Sequence, residues 1–201
     1  MRKLFMAALF IACTSSFAFA QTDDYNKYDV GVLYSHNRVD TGFEDPNSTN
    51  FLSEREGFHG VEVFAKGNVS RYVGLKGDYS FHRKSFDISG GTPATTFDVD
   101  TDIHQFLGGV EFKDNARETK VKPFGHVLAG VSHARADVSN STISFNESES
   151  ETGFAGVVGG GVDFKLSDRV DFRAVQFDYN PVRDNGQTSH NFRIGIGFIF
   201  R

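Results

Sequence analysis

The sequence predicts an all-β protein, an eight-stranded antiparallel up-and-down barrel that crosses a membrane with its strands. First, eight segments of about ten residues alternate apolar and polar side chains, and no long amphipathic helix is evident. Second, short and long connections alternate between the segments. Third, bulky apolar side chains share one face of each segment, while ionisable residues share the other face with many glycines. This pattern is typical of a narrow polar interior inside an apolar exterior.

The segment that precedes the predicted barrel has the features of a secretory signal peptide. Arg2 and Lys3 supply positive charge, residues 4–13 form a short apolar run, and an Ala-Phe-Ala cleavage site follows. We expect cleavage between Ala20 and Gln21, which leaves residues 21–201 as one barrel domain. The apolar run is too short for a membrane-spanning helix.

Cys13 is the single cysteine of the chain, so the mature protein has no disulfide framework. Lipidation of Cys13 is an alternative interpretation of this segment. Removing Arg2 and Lys3 changes the formal net charge from −5 to −7. This negative charge excludes a nucleic-acid-binding footprint.

The predicted strands follow each other at the spacing that hairpins require. Three short connections, 69–71, 114–121 and 166–169, alternate with four longer ones at 37–57, 83–102, 135–152 and 180–190. The short ones are expected on the periplasmic side, and the even strand count places both termini there. The predicted strands are Tyr28–His36, Phe58–Asn68, Tyr72–His82, Ile103–Lys113, Lys122–Ala134, Gly153–Lys165, Val170–Tyr179 and Asn191–Phe200.

Alternation assigns the two faces of the strands. The lipid-facing residues are predicted to be Val73, Leu75, Tyr79, Phe81, Phe154, Val158, Val162, Phe164, Phe172, Ile194, Ile196 and Phe198. The residues predicted to fill the lumen are Glu62, Lys66, Lys76, Asp78, Glu111, His126, Asp163, Lys165, Asp171, Arg173 and Arg193. Eight strands leave room only for side chains, so we interpret the charges as a structural salt-bridge network and not as a gated ion path.

The turn LSDR sets the register of the sixth and seventh strands. Pairing Leu166 with Val170 makes three cross-strand pairs: Phe164 with Phe172 outside, and Lys165 with Asp171 and Asp163 with Arg173 inside. Farther along the seventh strand, Gln176 and Asp178 would face lipid. We therefore predict a bulge there, or an early end of the lipid-facing zone.

The same scheme around Ser70 places Glu62 opposite Asp78. Two like charges facing each other are destabilising. We expect Lys76, diagonally placed, or Arg193 across the lumen to compensate this pair.

The stretch GGGVDFKLSDRVDFRAVQFDYNPVR, followed by NFRIGIGFIF, resembles the last three strands of small outer-membrane β-barrel proteins. This is the OmpA-like and OmpX-like group, the outer-membrane β-barrel domain family. The resemblance implies a Gram-negative outer membrane and recognition by the barrel-assembly machinery. Gly195, Phe198 and Phe200 match that assembly signal. Ile194, in place of a polar residue, and Arg201, after the aromatic, depart from it.

The expected partners are outer-membrane lipid and lipopolysaccharide, and an extracellular partner that the loops would contact. The acidic candidates in the loops are residues 44–47 and Glu147, Glu149 and Glu151, which alternate with serines. By parity His36, His59, His104 and His133 point outward around the circumference. That arrangement suits lipopolysaccharide phosphates better than a shared metal ion.

Neither an enzymatic activity nor a cofactor or metal site is predicted. A lipid A-modifying enzyme is the main alternative, with Ser132, His133 and His126 as candidates. Adjacent residues of a strand point to opposite faces, and we identify no carboxylate positioned to orient either histidine. A soluble lipocalin-like carrier would need the reverse pattern, with an apolar interior.

Overall fold

A computed structural model describes residues 25–40, 55–90, 95–140 and 145–201. Eight antiparallel strands form a closed barrel in chain order, and β1 pairs with β8 to complete it. The predicted signal peptide, its Ala20–Gln21 cleavage site and the acidic residues 44–47 lie outside the described residues. The strands are β1 Tyr28–Asp40, β2 Arg55–Asn68, β3 Val73–Gly90, β4 Thr95–Lys113, β5 Val121–Asn140, β6 Phe145–Lys165, β7 Val170–Asp184 and β8 Gln187–Phe200.

The strands follow the predicted segments closely at the end where β1 begins and β8 ends, here called the termini end. At the opposite end, here called the far end, every strand runs beyond its predicted boundary. Apolar alternation stops there, but backbone pairing continues into the predicted loops. The predicted long connection at 180–190 is wrong, because a two-residue turn joins β7 to β8. Asn185 and Gly186 have φ values of 45° and 85°, which suit the Asn-Gly turns of tight hairpins.

Strands β3 to β6 extend past their neighbours at the far end. β2 pairs with β3 only as far as Arg83, and β7 pairs with β6 only from Phe154. Residues 84–90, 95–102, 134–140 and 145–153 therefore form what we call the projecting sheet. Within the described part of the chain, its two outer edges, 84–90 and 145–153, pair with a strand on one side only.

The bulge predicted in the seventh strand is present. Arg173 pairs with Asp163, whereas Val175 pairs with Val162, so Ala174 is an extra residue. The β8 register shifts at the same place. The inserted residue turns Gln176 and Asp178 into the lumen, where both are fully buried.

The register predicted around the LSDR turn is confirmed, since Phe164 pairs with Phe172 and Lys165 with Asp171. The register predicted around Ser70 is wrong by two residues. Glu62 pairs with Ser80, and Asp78 pairs with Phe64. The turn accounts for the difference: the amides of Val69 and Ser70 both donate to the Val73 carbonyl oxygen, so the turn has the predicted length but is centred on Arg71, one residue later than the scheme assumed.

Large apolar side chains cover the outside of the barrel. All of the predicted lipid-facing residues lie on this outer face, and several are about half exposed, such as Leu75, Phe154, Val158 and Phe198. Soluble monomers rarely expose a continuous apolar surface of this kind. In the described part of the chain, no helix has the length and apolarity needed to cross a membrane.

Candidate functional site

The lumen contains two connected clusters of buried charges. The first cluster combines three carboxylates, of Asp29, Glu111 and Asp163, with three cations. Lys66 Nζ lies 2.8 Å from Asp29 and 2.7 Å from Glu111. The other two cations, Lys113 and Arg173, contact Asp163 at 3.0 and 2.7 Å. The cluster is therefore balanced in formal charge, which buried ions require.

The second cluster surrounds Arg193, whose guanidinium contacts Asp178 at 2.8 Å, Asp78 at 3.3 Å and Glu62 at 3.5 Å. Lys76 bridges Glu62 and Asp78 at 3.2 and 3.0 Å. The compensation expected from Lys76 and Arg193 is thus present, although the two carboxylates are not directly opposite. Each of these side chains is buried, and their pairing fixes the strands relative to one another.

Gln176 joins the two clusters. Its amide nitrogen donates to Glu62 at 2.8 Å, and its amide oxygen accepts from Arg173 at 2.7 Å. Arg173 also stacks on the ring of Phe124, 3.7 Å from its centroid. Two apolar groups lie beside the charges: Leu33, Phe64 and Ile199 in one, and Leu107, Leu128, Ala155 and Val157 in the other.

Hydrogen bonds and ion pairs cross the termini end of the lumen. The Asn26 amide donates to the Asn115 carbonyl oxygen, and its own carbonyl accepts from the Asn68 side chain. Arg201, the residue that departs from the assembly signal, contacts Asp171. Lys122 lies 3.5 Å from the same carboxylate.

Lys165 was predicted to be a lumen charge paired with Asp171. Its side chain does not contact Asp171 and points away from the lumen charges. It contacts Asp168 at 2.7 Å and donates to the Arg117 carbonyl oxygen. At the last position of β6, the long side chain reaches the solvated turn, where its charge stays hydrated. Asp168 is exposed, and its hydrogen bond from Lys165 lowers its pKa.

Several lumen residues were missed by sequence reasoning. Asp29 and Lys113 follow the alternation of β1 and β4, but they lie at strand ends, where alternation is the weakest guide to which face a side chain occupies. Asp178 enters the lumen through the bulge that the sequence predicted. His82 lies inside, as the alternation of β3 requires, and its Nε2 is 2.9 Å from Ser35 Oγ.

The candidate catalytic residues Ser132 and His133 lie on opposite faces of β5. Ser132 is buried and faces inward, whereas His133 faces outward and contacts Thr152. The expectation that no carboxylate orients a histidine is wrong for His126, whose Nε2 lies 2.8 Å from Asp178. That pair is fully buried among the lumen charges. The described residues also contain no group of three or more His, Cys, Asp or Glu suited to hold a metal ion.

The projecting sheet is strongly acidic. Its carboxylates outnumber its cations, Lys84 and Arg135, by eight to two. Glu147, Glu149 and Glu151 are exposed and share the face that continues the lumen side of β6. The carboxylates of the sheet are Asp87, Asp98, Asp100, Asp102, Asp137, Glu147, Glu149 and Glu151.

The family model of the outer membrane protein beta-barrel domain matches residues 5–200. The chain belongs to this family. It is accordingly an outer-membrane β-barrel of the small OmpA-like type found in Gram-negative bacteria, as the resemblance implied. Comparison with curated proteins gives no match.

Solved structures of this type share the fold at low sequence identity. Ail, the attachment invasion locus protein of Yersinia pestis, is 18% identical, with a TM-score of 0.54 over 89% of this chain and 100% of Ail. Ail has also been solved in complex with the heparin analogue sucrose octasulfate. Neisserial surface protein A is 13% identical, with a TM-score of 0.53 over 87% of this chain and 97% of that one. OprG from Pseudomonas aeruginosa is 10% identical, with a TM-score of 0.51 over 89% and 96%.

Proposed function

We propose that this outer-membrane β-barrel is a surface-interaction protein with a closed lumen, and that its projecting sheet contacts an extracellular partner. The far end then lies outside the cell, and both termini lie in the periplasm. The observation that carries this proposal is that four strands continue beyond the barrel, and the two outer ones pair with a described strand on one side only. Such edges offer unpaired backbone groups to an extended chain.

The charge of the projecting sheet defines the chemistry of that partner. With eight carboxylates against two cations, the sheet repels polyanions and attracts a basic segment. A polysulfated ligand of the kind bound in the Ail complex does not suit this surface. The partner proposed here is a basic, extended polypeptide segment that pairs with the edge at residues 145–153.

Lipid and the assembly machinery are the remaining partners in this proposal. The outer apolar belt contacts the membrane, since closure of the barrel satisfies every strand edge inside it. Gly195, Phe198 and Phe200 serve as the assembly signal. Gly195 faces the lumen against Leu33, while Phe198 and Phe200 are about half exposed outside.

An enzymatic role finds less support. The Ser35–His82 and His126–Asp178 pairs are buried inside the barrel, and Ser132 and His133 lie on opposite faces. A soluble lipocalin-like carrier finds no support, because charged side chains and not apolar ones occupy the lumen.

The test is binding of a lysine-rich extended peptide to the barrel reconstituted in lipid nanodiscs. We expect the wild type to bind it and E147Q/E149Q/E151Q to bind several-fold more weakly, with binding of both weakened by salt. An acidic peptide of equal length is the ligand control, and S148A/S150A, on the same edge, is the matched variant. Equal binding by the wild type and the glutamine variant would contradict the proposed partner chemistry.

A further inference from the structure

In each of the four far-end hairpins, an outward-facing imidazole is hydrogen-bonded to a hydroxyl of the neighbouring strand, and in the β1–β2 hairpin a second outward imidazole, His36, lies beside it. Between β1 and β2, Tyr34 Oη lies 2.5 Å from His59 Nδ1. Between β5 and β6, His133 Nδ1 lies 2.8 Å from Thr152 Oγ1. The remaining two pairs are Tyr79 with His104 at 3.0 Å and Tyr179 with His190 at 2.5 Å. We call His59, His104, His133 and His190 the imidazole belt.

The hydrogen bonds determine what these rings present to their surroundings. In each pair the contacting ring atom is Nδ1, and we assign the hydroxyl as the donor to it. A neutral imidazole that accepts at Nδ1 carries its proton on Nε2. All four rings therefore offer an Nε2–H donor, and the hydroxyl fixes the ring orientation.

The belt marks a boundary on the outer face. In β5 the outward residues run from Val131 through His133 to Arg135, so an apolar side chain, an imidazole and a guanidinium follow in order. In the other three hairpins the belt histidine is on the even-numbered strand, and an outward arginine lies on the odd-numbered strand, two residues beyond the position that pairs with the histidine. The four arginines are Arg38, Arg83, Arg135 and Arg183.

The belt is confined to one end of the barrel. All seven histidines lie in described residues, and none lies at the termini end, where Tyr28, Tyr72, Phe112 and Phe200 form the aromatic rim. A general preference of imidazole for an interface would place histidines at both ends. An asymmetric belt instead suits a membrane whose two leaflets carry different headgroups.

We propose that the imidazole belt binds phosphate groups of the outer-leaflet lipid through its Nε2–H donors. This inference rests on the orientation proposed above, with the far end outside. Phosphate oxygens are strong acceptors, and they lie at the depth where the apolar belt ends. Arg83 and Arg135 contact Asp100, Asp102 and Asp137, so much of their charge is compensated, and the imidazoles remain the donors nearest the apolar belt.

The test uses the full mature barrel in maltoside micelles, which contain no phosphate. Bisphosphorylated lipid A, dephosphorylated lipid A and inorganic phosphate are added separately, and lipid retained per barrel is counted by native mass spectrometry. Imidazole ¹⁵N spectra report the tautomer of each histidine. We expect several-fold more retention of bisphosphorylated lipid A, with shifts at the belt Nε2 atoms and none at buried His82 and His126.

Two sets of variants isolate the belt. H59F/H104F/H133F/H190F replaces the four belt imidazoles with rings that cannot donate, so the preference for phosphorylated lipid should fall several-fold. Y34F/Y79F/Y179F keeps the imidazoles but removes three holding hydroxyls, and it should weaken the preference. Y28F/Y72F removes outward hydroxyls at the termini end and should leave retention unchanged.

Three outcomes would overturn the inference: equal retention of both lipids by the wild type, an unchanged preference in the quadruple variant, or an Nδ1–H tautomer in the belt. Shifts caused by inorganic phosphate alone would also overturn it, in favour of a free-phosphate site. If the quadruple variant does not fold, H133F and H190F are measured singly, and unchanged retention in both overturns it. Peptide binding by the projecting sheet is measured on the same variants, so the two proposals fail separately.

Discussion

Asp163 and Arg173 face each other across β6 and β7 in a bidentate pair that is fully buried. Arg173 Nε lies 2.7 Å from Oδ1 of Asp163, and Nη2 lies 3.1 Å from Oδ2. Such geometry is the strongest form of ion pairing between these side chains. The pair sits beside the bulge at Ala174 and in the middle of the lumen network.

Removing one partner of this pair should cost more than removing both. R173M leaves Asp163 and Glu111 with one cation fewer, and we expect a loss of about 3–5 kcal/mol in the free energy of unfolding. D163N/R173M keeps the charge balance and should cost less than R173M alone. Urea titration of the barrel in lipid vesicles measures both, and additive losses would contradict the coupling.

Exchanging the two residues is a less direct test. Glu111 lies 3.5 Å from Arg173, and Lys113 lies 3.0 Å from Asp163. An aspartate at position 173 would therefore meet a like charge, and so would an arginine at position 163. The structure favours the neutral double variant as the comparison.

Arginine on the outer face should destabilise the barrel according to depth. Val158 lies midway along the membrane-facing part of β6, and Phe164 lies near the termini end. We expect V158R to cost about 2–4 kcal/mol and F164R to cost less. Insertion into vesicles, followed by gel mobility before and after boiling, measures this. S148R on the projecting sheet is the control, and V158R insertion equal to wild type would disprove the lipid-facing assignment.

Deleting Ala174 should remove the bulge and leave a folded barrel. Without the extra residue, Val175 follows Arg173 directly, so regular alternation keeps Gln176 and Asp178 in the lumen, and Arg193 keeps its contact with Asp178. Deleting Phe177 instead would turn Asp178 to the outer face, where a carboxylate in the apolar belt and an unpaired buried guanidinium are both costly. We expect a heat-modifiable band for the Ala174 deletion and none for the Phe177 deletion. A misfolded Ala174 deletion variant would contradict the assignment of Ala174 as the inserted residue.

The ionisation of Asp114, a carboxylate in a turn, should make the free energy of unfolding depend on pH. Arg71 donates two hydrogen bonds to it, at 2.8 and 3.0 Å, and Thr119 donates a third, which lowers the pKa of Asp114. A lowered folded pKa stabilises the protein above the unfolded pKa of about 3.9, and this contribution is lost as pH falls through the folded value.

D114N tests this contribution, because it cannot ionise. Both partners are partly exposed, so we expect a loss of about 0.5–1 kcal/mol at pH 7 that shrinks below about pH 4. D168N removes an exposed partner of Lys165 and should have a smaller effect. A D114N loss that is equal at pH 7 and pH 3 would contradict the assignment.

The lumen should not conduct ions steadily. Charged side chains fill it in both clusters, and contacts of Asn26, Asn115 and Arg201 cross its termini end. We expect no stable single-channel steps in planar bilayers for the wild type. R193A, which removes the largest side chain of the second cluster, is the comparison. Steady conductance of the wild type would show that the closed-lumen proposal is wrong.

The sequence determined the barrel because alternation and turn spacing are local signals. Eight segments, the LSDR register and the outer face from Val73 to Phe198 could be predicted from periodicity alone. Even the bulge in β7 was foreseeable, since Gln176 and Asp178 conflicted with a lipid-facing position.

The tertiary structure decided what periodicity cannot encode. The projecting sheet exists because backbone pairing continues where apolar alternation has ended, and the β2–β3 register depends on which residue lies at the centre of the turn. The grouping of Lys66 with Asp29 and Glu111, and of Arg193 with Glu62, Asp78 and Asp178, depends on which side chains meet across a closed lumen. Parity assigns a side chain to the interior, but only barrel closure and strand stagger choose its partners.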